Sequence, residues 1–171
     1  FVPYVERDGV PKVPNDALNV FYGYVHDELD DGDYEEWGED DELMKLVERI
    51  RYHFHTSISA GDNDVYEYIM NWFSWLLRNG NEKIGVTIFL HSQQGSGKDL
   101  MINEFIGKGI IGSYAAICTA LDRFVDKFSD HRIHKLLWTF NECSSQLERK
   151  SNWDRIKSII TDETFQCEAK G

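Results

Sequence analysis

The first half of the chain carries apolar residues at the three- and four-residue spacing of amphipathic helices. One such pattern runs from about residue 41 to 54. A second follows the break GDND, where Asn63 or Asp64 can cap a helix, and Asn79-Gly80 ends it. We therefore predict two helices. Their inner-face residues are Leu43, Leu46, Val47, Ile50 and Phe54 in the first, and Tyr66, Ile69, Met70, Phe73, Leu76 and Leu77 in the second.

From residue 84 onward, short apolar stretches alternate with helical segments. IGVTIFL, residues 84–90, is β-branched and apolar on both faces, as in a buried strand of a parallel sheet. KLLWTF, residues 135–140, has the same character. The alternation predicts an α/β fold with a parallel-sheet core and a mostly helical N-terminal flank. The other predicted elements are helices at 99–107, 120–128 and 152–160 and strands at 114–118 and 164–170.

The composition is that of a globular protein, with 42% apolar residues in a chain of 171. No apolar run approaches the roughly 20 residues that a membrane-spanning helix needs. We therefore expect a soluble, intracellular protein, divided into a flanking region at 1–62 and a core at 63–171. Three cysteines without a CxxC pair argue against a disulfide framework or a zinc site. His53 and His55 fall on different helical faces, which suits a metal poorly and favours structural or surface roles.

The net charge of −12 is concentrated in one tract. Residues 27–42, DELDDGDYEEWGEDDE, hold eleven acidic side chains and no basic one, so the rest of the chain is close to neutral. The acidity therefore does not exclude a DNA-facing surface elsewhere. We interpret the tract as a solvated linker. A gate or a partner-binding segment is the alternative.

The strongest chemical signal is SQQGSGKD, residues 92–99, between the predicted strand at 84–90 and a predicted helix. Glycines let backbone N–H groups point at a phosphate, the helix N-terminus adds positive potential, and a lysine reaches the outer phosphates. The full pattern of such a loop is G-x-x-x-x-G-K-[ST], from which Ser92 and Asp99 depart. A glycine-rich turn that binds nothing is the alternative. The predicted nucleotide-binding residues are Gln94, Gly95, Ser96, Gly97, Lys98, Asp99 and Leu100.

A second motif, Asn141-Glu142, ends the apolar stretch KLLWTF. Walker-type ATPases place acids at the end of a second buried strand, where one holds magnesium and the neighbouring glutamate polarises the attacking water. Because Asn141 is neutral, we hypothesise that Asp99 restores a carboxylate to the magnesium shell, and that Glu142 and Lys98 are catalytic. The rival interpretation is a decayed site, since a carboxylate that misses the metal repels phosphates.

Together these motifs resemble the superfamily 3 helicases, and within them the primase–helicases of large DNA viruses, phages and related mobile elements. NVFYGY, residues 19–24, resembles the asparagine-aromatic-glycine-aromatic element that precedes their helicase domain. Residues 66–99 resemble their lead-in helix, first strand and loop. Residues 124–142 resemble the approach to their second Walker motif, and residues 156–171 resemble their B-prime motif.

The resemblance implies an AAA-like P-loop ATPase that uses ATP and Mg²⁺, forms a hexameric ring and moves along single-stranded DNA at a viral or phage replication site. It implies that Lys170 lies on a channel hairpin and touches the DNA backbone. Such helicases carry a third motif beyond the segment that ends here at Gly171, so we expect this chain alone to bind nucleotide weakly and not to unwind DNA. The alternatives are a P-loop ATPase acting on a protein or packaging substrate, and a non-catalytic assembly module.

Overall fold

Four helices, two short helical turns and two strands make up the part of the chain that the computed structural model describes, residues 21–25, 41–80, 82–119, 124, 134–141 and 146–162. The helices are α1 (Asp41–His53), α2 (Asn63–Arg78), the π-helix α3 (Leu100–Ile111) and α4 (Gln146–Thr161). The strands are β1 (Ala115–Cys118) and β2 (Leu137–Phe140). The short turns are a π-helical Phe54–Ile58 and a 3₁₀ turn at Gly112–Tyr114.

Helices α1 and α2 confirm the two helices predicted for the first half, and α2 ends at the predicted Asn79. The cap of α2 differs from the prediction. The side chain of Asp62, rather than Asn63 or Asp64, accepts a hydrogen bond from the backbone N–H of Val65 at 3.0 Å. The helix already begins at residue 63, so only the residue before it has the extended backbone that a capping residue needs.

Strands β1 and β2 confirm the strands predicted at 114–118 and 135–140, and they form a parallel pair in a register that runs from Ala115 opposite Leu137 to Cys118 opposite Phe140. The backbone N–H of Asn141 donates to the carbonyl of Cys118 at 3.2 Å, which continues the ladder one residue past β2. Parallel strands bring their carboxyl ends to the same edge of a sheet. Asn141 is therefore fixed at that edge.

The prediction of a strand at residues 84–90 is wrong. This segment has no regular secondary structure and pairs with no strand in the described part of the chain, and Val86 and Phe89 are 46% and 72% exposed. It is linked to α2 by a hydrogen bond of 3.2 Å from Trp72 Nε1 to the carbonyl of Val86, and its residues Ile88 and Leu90 pack against the main core. Apolar, β-branched composition reports how well a segment suits a pleated surface, whereas a strand also needs a partner, which composition does not specify.

The main core lies between α2, α3 and the sheet, and it joins the helical flank to the loop region. Residues 21–25 pack onto it, since the N–H of Val25 donates to the carbonyl of Ile110 at 3.1 Å. Leu46 and Val47, predicted on the inner face of α1, are exposed because only the C-terminal end of α1 reaches this core. The buried members are Phe54, Ile69, Phe73, Leu76, Met101, Ile106, Ile111, Tyr114 and Leu137.

A second, smaller cluster joins α4 to the strands, with Ile156 and Phe124 buried against Trp138 and Phe140. Helix α4 confirms the helix predicted at 152–160 and extends it toward the N-terminus. Within the described ranges, no helix is both long enough and apolar enough to cross a membrane. The strand predicted at 164–170, all but one residue of the helix predicted at 120–128, and most of the acidic tract lie outside the described residues.

Candidate functional site

The loop before α3 has a backbone that glycines permit. Gly95 and Gly97 have φ values of +83° and +80°, in the left-handed region that costs other residues about 1–2 kcal/mol. Two left-handed residues so close together turn the chain sharply and fold the loop back before the helix begins. The loop is exposed at Gln94 and Gly95, and it is half-buried from Ser96 to Lys98.

Lys98 folds back over its own loop. Its Nζ donates to Ser92 Oγ at 2.5 Å, to Ser96 Oγ at 3.2 Å and to the carbonyl of Gln93 at 3.4 Å. The two serine hydroxyls are 2.7 Å apart, so three oxygens gather around one ammonium group. In the sequence, Ser92 is recognisable only as a departure from the glycine pattern of such loops. The structure makes it the nearest partner of the lysine, and a hydroxyl six residues before that lysine was the available signal.

The first turn of α3 continues directly from the loop. The helical conformation starts at Lys98, and the N–H of Met101 donates to the carbonyl of Gly97 at 3.0 Å. The N–H groups ahead of Met101 lack intrahelical acceptors and give the helix start a partial positive charge. Leu100 is exposed on this turn. Asp99 is also exposed there, and its carboxylate opposes an anion unless a cation lies between them.

Asn103 brings Asp99 and Asn141 together. Its Nδ2 lies 3.4 Å from Asp99 Oδ1 and 3.4 Å from Asn141 Oδ1. Asn103 follows Asp99 by one turn of α3, and Asn141 ends β2, so the packing of helix on strand creates the cluster. Sequence reasoning paired Asp99 with Asn141 but missed Asn103. A single asparagine in the otherwise apolar stretch LMIN was the only available signal.

The donor set of this cluster fits Mg²⁺. Asn103 is 5% exposed, and its Oδ1 has no hydrogen-bond partner among the described residues. Mg²⁺ takes carboxylate and amide oxygens, and it usually keeps waters and substrate phosphates as further ligands. No group of three His, Cys, Asp or Glu side chains in the described ranges could hold a metal. Asp99 and Asn141 therefore suit a magnesium ion that arrives with a phosphate better than an ion bound by protein alone.

A cavity of about 420 Å³ adjoins the loop. It lies between α2, with the turn before it, and residues 87–92, and its volume falls within the range of small-molecule sites. Apolar and aromatic side chains form most of its wall, and the polar end carries His91, Ser92 and Lys98. The lysine that faces the loop therefore also borders this half-open space.

The remaining predicted residues are not part of this cluster. His55 is structural, as expected, with its Nε2 2.9 Å from Asn63 Oδ1. His53 instead packs against the loop at Gly97. Glu142 and Lys170 lie outside the described residues.

Comparison with known proteins adds one match. Residues 90–171 match a family described as a family of unknown function (DUF5906). The match covers less than half of the chain and takes in the loop, α3, both strands and α4, while α1 and α2 lie outside it. No curated protein and no solved structure matches the chain.

Proposed function

We propose that this chain binds ATP through residues 92–99 and hydrolyses it as part of the motor of a DNA helicase in a viral or phage-like replication protein. The main support for this proposal is the position of Lys98, whose side chain folds back over a loop with two left-handed glycines. A helix start lies directly behind it. This combination of ammonium, N–H groups and helix N-terminus suits phosphate oxygens.

The parts of the site have distinct roles in this proposal. The N–H groups of the loop donate to phosphate oxygens, and Lys98 exchanges Ser92 for the outer phosphates. Asp99 and Asn141 hold Mg²⁺, with Asn103 keeping them aligned. When bound, the ion neutralises charge that develops on the transferred phosphate. Glu142 directly follows Asn141 and activates water, as the resemblance to superfamily 3 helicases implies. The nucleoside lies in the neighbouring cavity.

Calorimetric titration of the chain with Mg-ATP tests the nucleotide site. We expect Lys98→Ala to weaken binding by about 10- to 100-fold, the worth of one charge-assisted hydrogen bond. Lys108→Ala is the matched control, because Lys108 lies on the same helix but pairs with Glu104 on the surface at 2.6 Å. Equal affinities of Lys98→Ala and the unmodified chain would contradict the proposal.

The same titration with and without Mg²⁺ tests the metal site. Mg²⁺ should strengthen ATP binding by the unmodified chain and leave the affinity of Asp99→Ala unchanged. The variant should bind metal-free ATP at least as well as the unmodified chain, because the carboxylate no longer repels the phosphates. An unaltered dependence on Mg²⁺ would remove Asp99 from the metal site and favour a decayed one.

ATP hydrolysis measured with and without single-stranded DNA tests the motor. Stimulation by DNA that Lys170→Ala reduces would support the helicase proposal. Hydrolysis indifferent to DNA would favour a motor acting on a protein or packaging substrate. Binding without hydrolysis would favour a non-catalytic assembly module.

A further inference from the structure

His53, the last residue of α1, packs directly on the loop. A β-carbon added to Gly97 would lie 2.6 Å from His53 Nε2 and 2.9 Å from His53 Cε1. The tip of the imidazole ring therefore occupies the place where a side chain at position 97 would begin. Helix α1 contributes to the loop in this way although it lies outside the matched family region.

The ring nitrogen at this contact has no partner. Nε2 of His53 is buried and makes no hydrogen bond within the described part of the chain. Buried polar atoms are normally hydrogen-bonded, so such an atom needs an explanation. His55 provides the contrast, because its Nε2 meets Asn63 Oδ1 at 2.9 Å only two residues further on. The missing partner of His53 is thus a feature of its place beside the loop.

We propose that His53 is a phosphate-binding residue of the loop, whose Nε2–H donates to a phosphate oxygen of the bound nucleotide. This inference rests on the proposed nucleotide site and adds a residue to it. Phosphate oxygens are acceptors, and an imidazole N–H is a donor that fits them. Gly97 covers the nitrogen in the present arrangement, so phosphate binding must shift this glycine, whose lack of a side chain permits the movement.

Titration of the chain with inorganic triphosphate and Mg²⁺ tests the inference, because this probe lacks a nucleoside that could bind in the cavity. His53→Phe keeps a ring on Gly97 and removes the nitrogen. We expect it to weaken binding by about tenfold or more. His53→Gln restores an amide donor and should recover much of the loss. His55→Phe is the matched control and should bind like the unmodified chain.

The imidazole ¹⁵N resonances of the unmodified chain measure contact between His53 and the triphosphate directly. The His53 signal is identified by its absence from the spectrum of His53→Gln. Triphosphate should shift the Nε2 resonance of His53 and leave that of His55 in place. This measurement does not depend on the folding of any ring variant.

The outcomes separate this inference from the proposed function. If Lys98→Ala loses triphosphate while His53→Phe binds normally, or if the Nε2 resonance stays in place at saturation, His53 is not a phosphate ligand and the nucleotide site stands. If the unmodified chain binds no triphosphate, both proposals fall.

Discussion

The two sides of Lys98 are built differently. The lead-in segment, residues 84–96, makes no backbone–backbone hydrogen bond within the described part of the chain, and Phe89 in its middle is 72% exposed. Helix α3, on the other side of the lysine, buries Met101, Ile106 and Ile111 in the main core. Helix α3 is therefore held by buried apolar residues, whereas the lead-in segment is held by the partly buried Ile88 and Leu90 and by a few side-chain contacts.

The two sides are therefore expected to contribute differently to stability and to ligand binding. Because α3 is anchored in the core, it fixes where Lys98 and Asp99 stand. The lead-in segment is held by the hydrogen bonds of Trp72 to Val86 and of Lys98 to Ser92, and by Ile88 and Leu90, which are only partly buried against the core. We therefore expect changes at the buried residues of α3 to alter the free energy of unfolding most, and changes at exposed polar residues of the lead-in segment, such as Ser92, to alter ligand binding with little effect on folding.

The largest effect is expected at the anchored side. Ile111 is almost fully buried at the end of α3. Its substitution by alanine should lower the free energy of unfolding of the protein by about 2–5 kcal/mol. Leu100→Ala is the control on the same helix, since Leu100 is 62% exposed and its loss should cost less than about 0.5 kcal/mol. Denaturant unfolding measures both. Similar costs for the two variants would show that α3 is not the anchor.

The same contrast explains which parts of the fold the sequence could predict. Helix α2 and strand β2 were predictable because the arrangement of apolar residues within each segment reflects which of its side chains are buried. Residues 84–90 have an equally β-like composition and still form no strand, since pairing depends on a distant partner that the segment itself does not encode. The π-helical form of α3 was likewise hidden, because its stretch DLMINEFIG has the composition of an ordinary helix.

The second-largest effect on the free energy of unfolding is expected at the two left-handed glycines of the loop. Gly95→Ala should cost about 1–2 kcal/mol for its left-handed backbone alone, as a β-carbon there would meet nothing within 4 Å. Gly97→Ala carries the same backbone cost and also forces the new β-carbon against His53. Because the tip of the ring is the far end of a side chain and can yield, we expect a further cost of about 0.5–1.5 kcal/mol in denaturant unfolding.

A double-mutant cycle isolates that contact. In a His53→Ala background the extra cost of Gly97→Ala should disappear, because the ring that occupies the space is gone. Gly95→Ala should cost the same in both backgrounds. If the two glycine variants are equally unstable in the unmodified chain, the ring does not restrain the loop.

Local sequence patterns predicted the loop of the candidate site. Contacts between residues that are distant in the sequence could not be predicted in this way. The pattern around Gly97 and Lys98 indicated a loop, and the paired departures at Asp99 and Asn141 indicated that these residues belong together. The structure brings both of them to Asn103. The contacts of Asn103 and His53 arise from the packing of α3 on β2 and of α1 on the loop. The lone asparagine in the stretch LMIN is a weak local signal of the first contact, and the sequence around His53 carries none of the second.

The smallest effect is expected at Ser92, on the lead-in side. Its hydroxyl is the nearest acceptor of Lys98, so phosphates must displace it or share the lysine. Ser92→Ala should therefore bind triphosphate about 2- to 10-fold more tightly, the worth of one ordinary hydrogen bond, with unchanged unfolding free energy. Ser92→Thr keeps the hydroxyl and should bind like the unmodified chain. Weaker binding by Ser92→Ala would mean that this hydroxyl contacts the ligand itself, and that the lead-in segment belongs to the phosphate site.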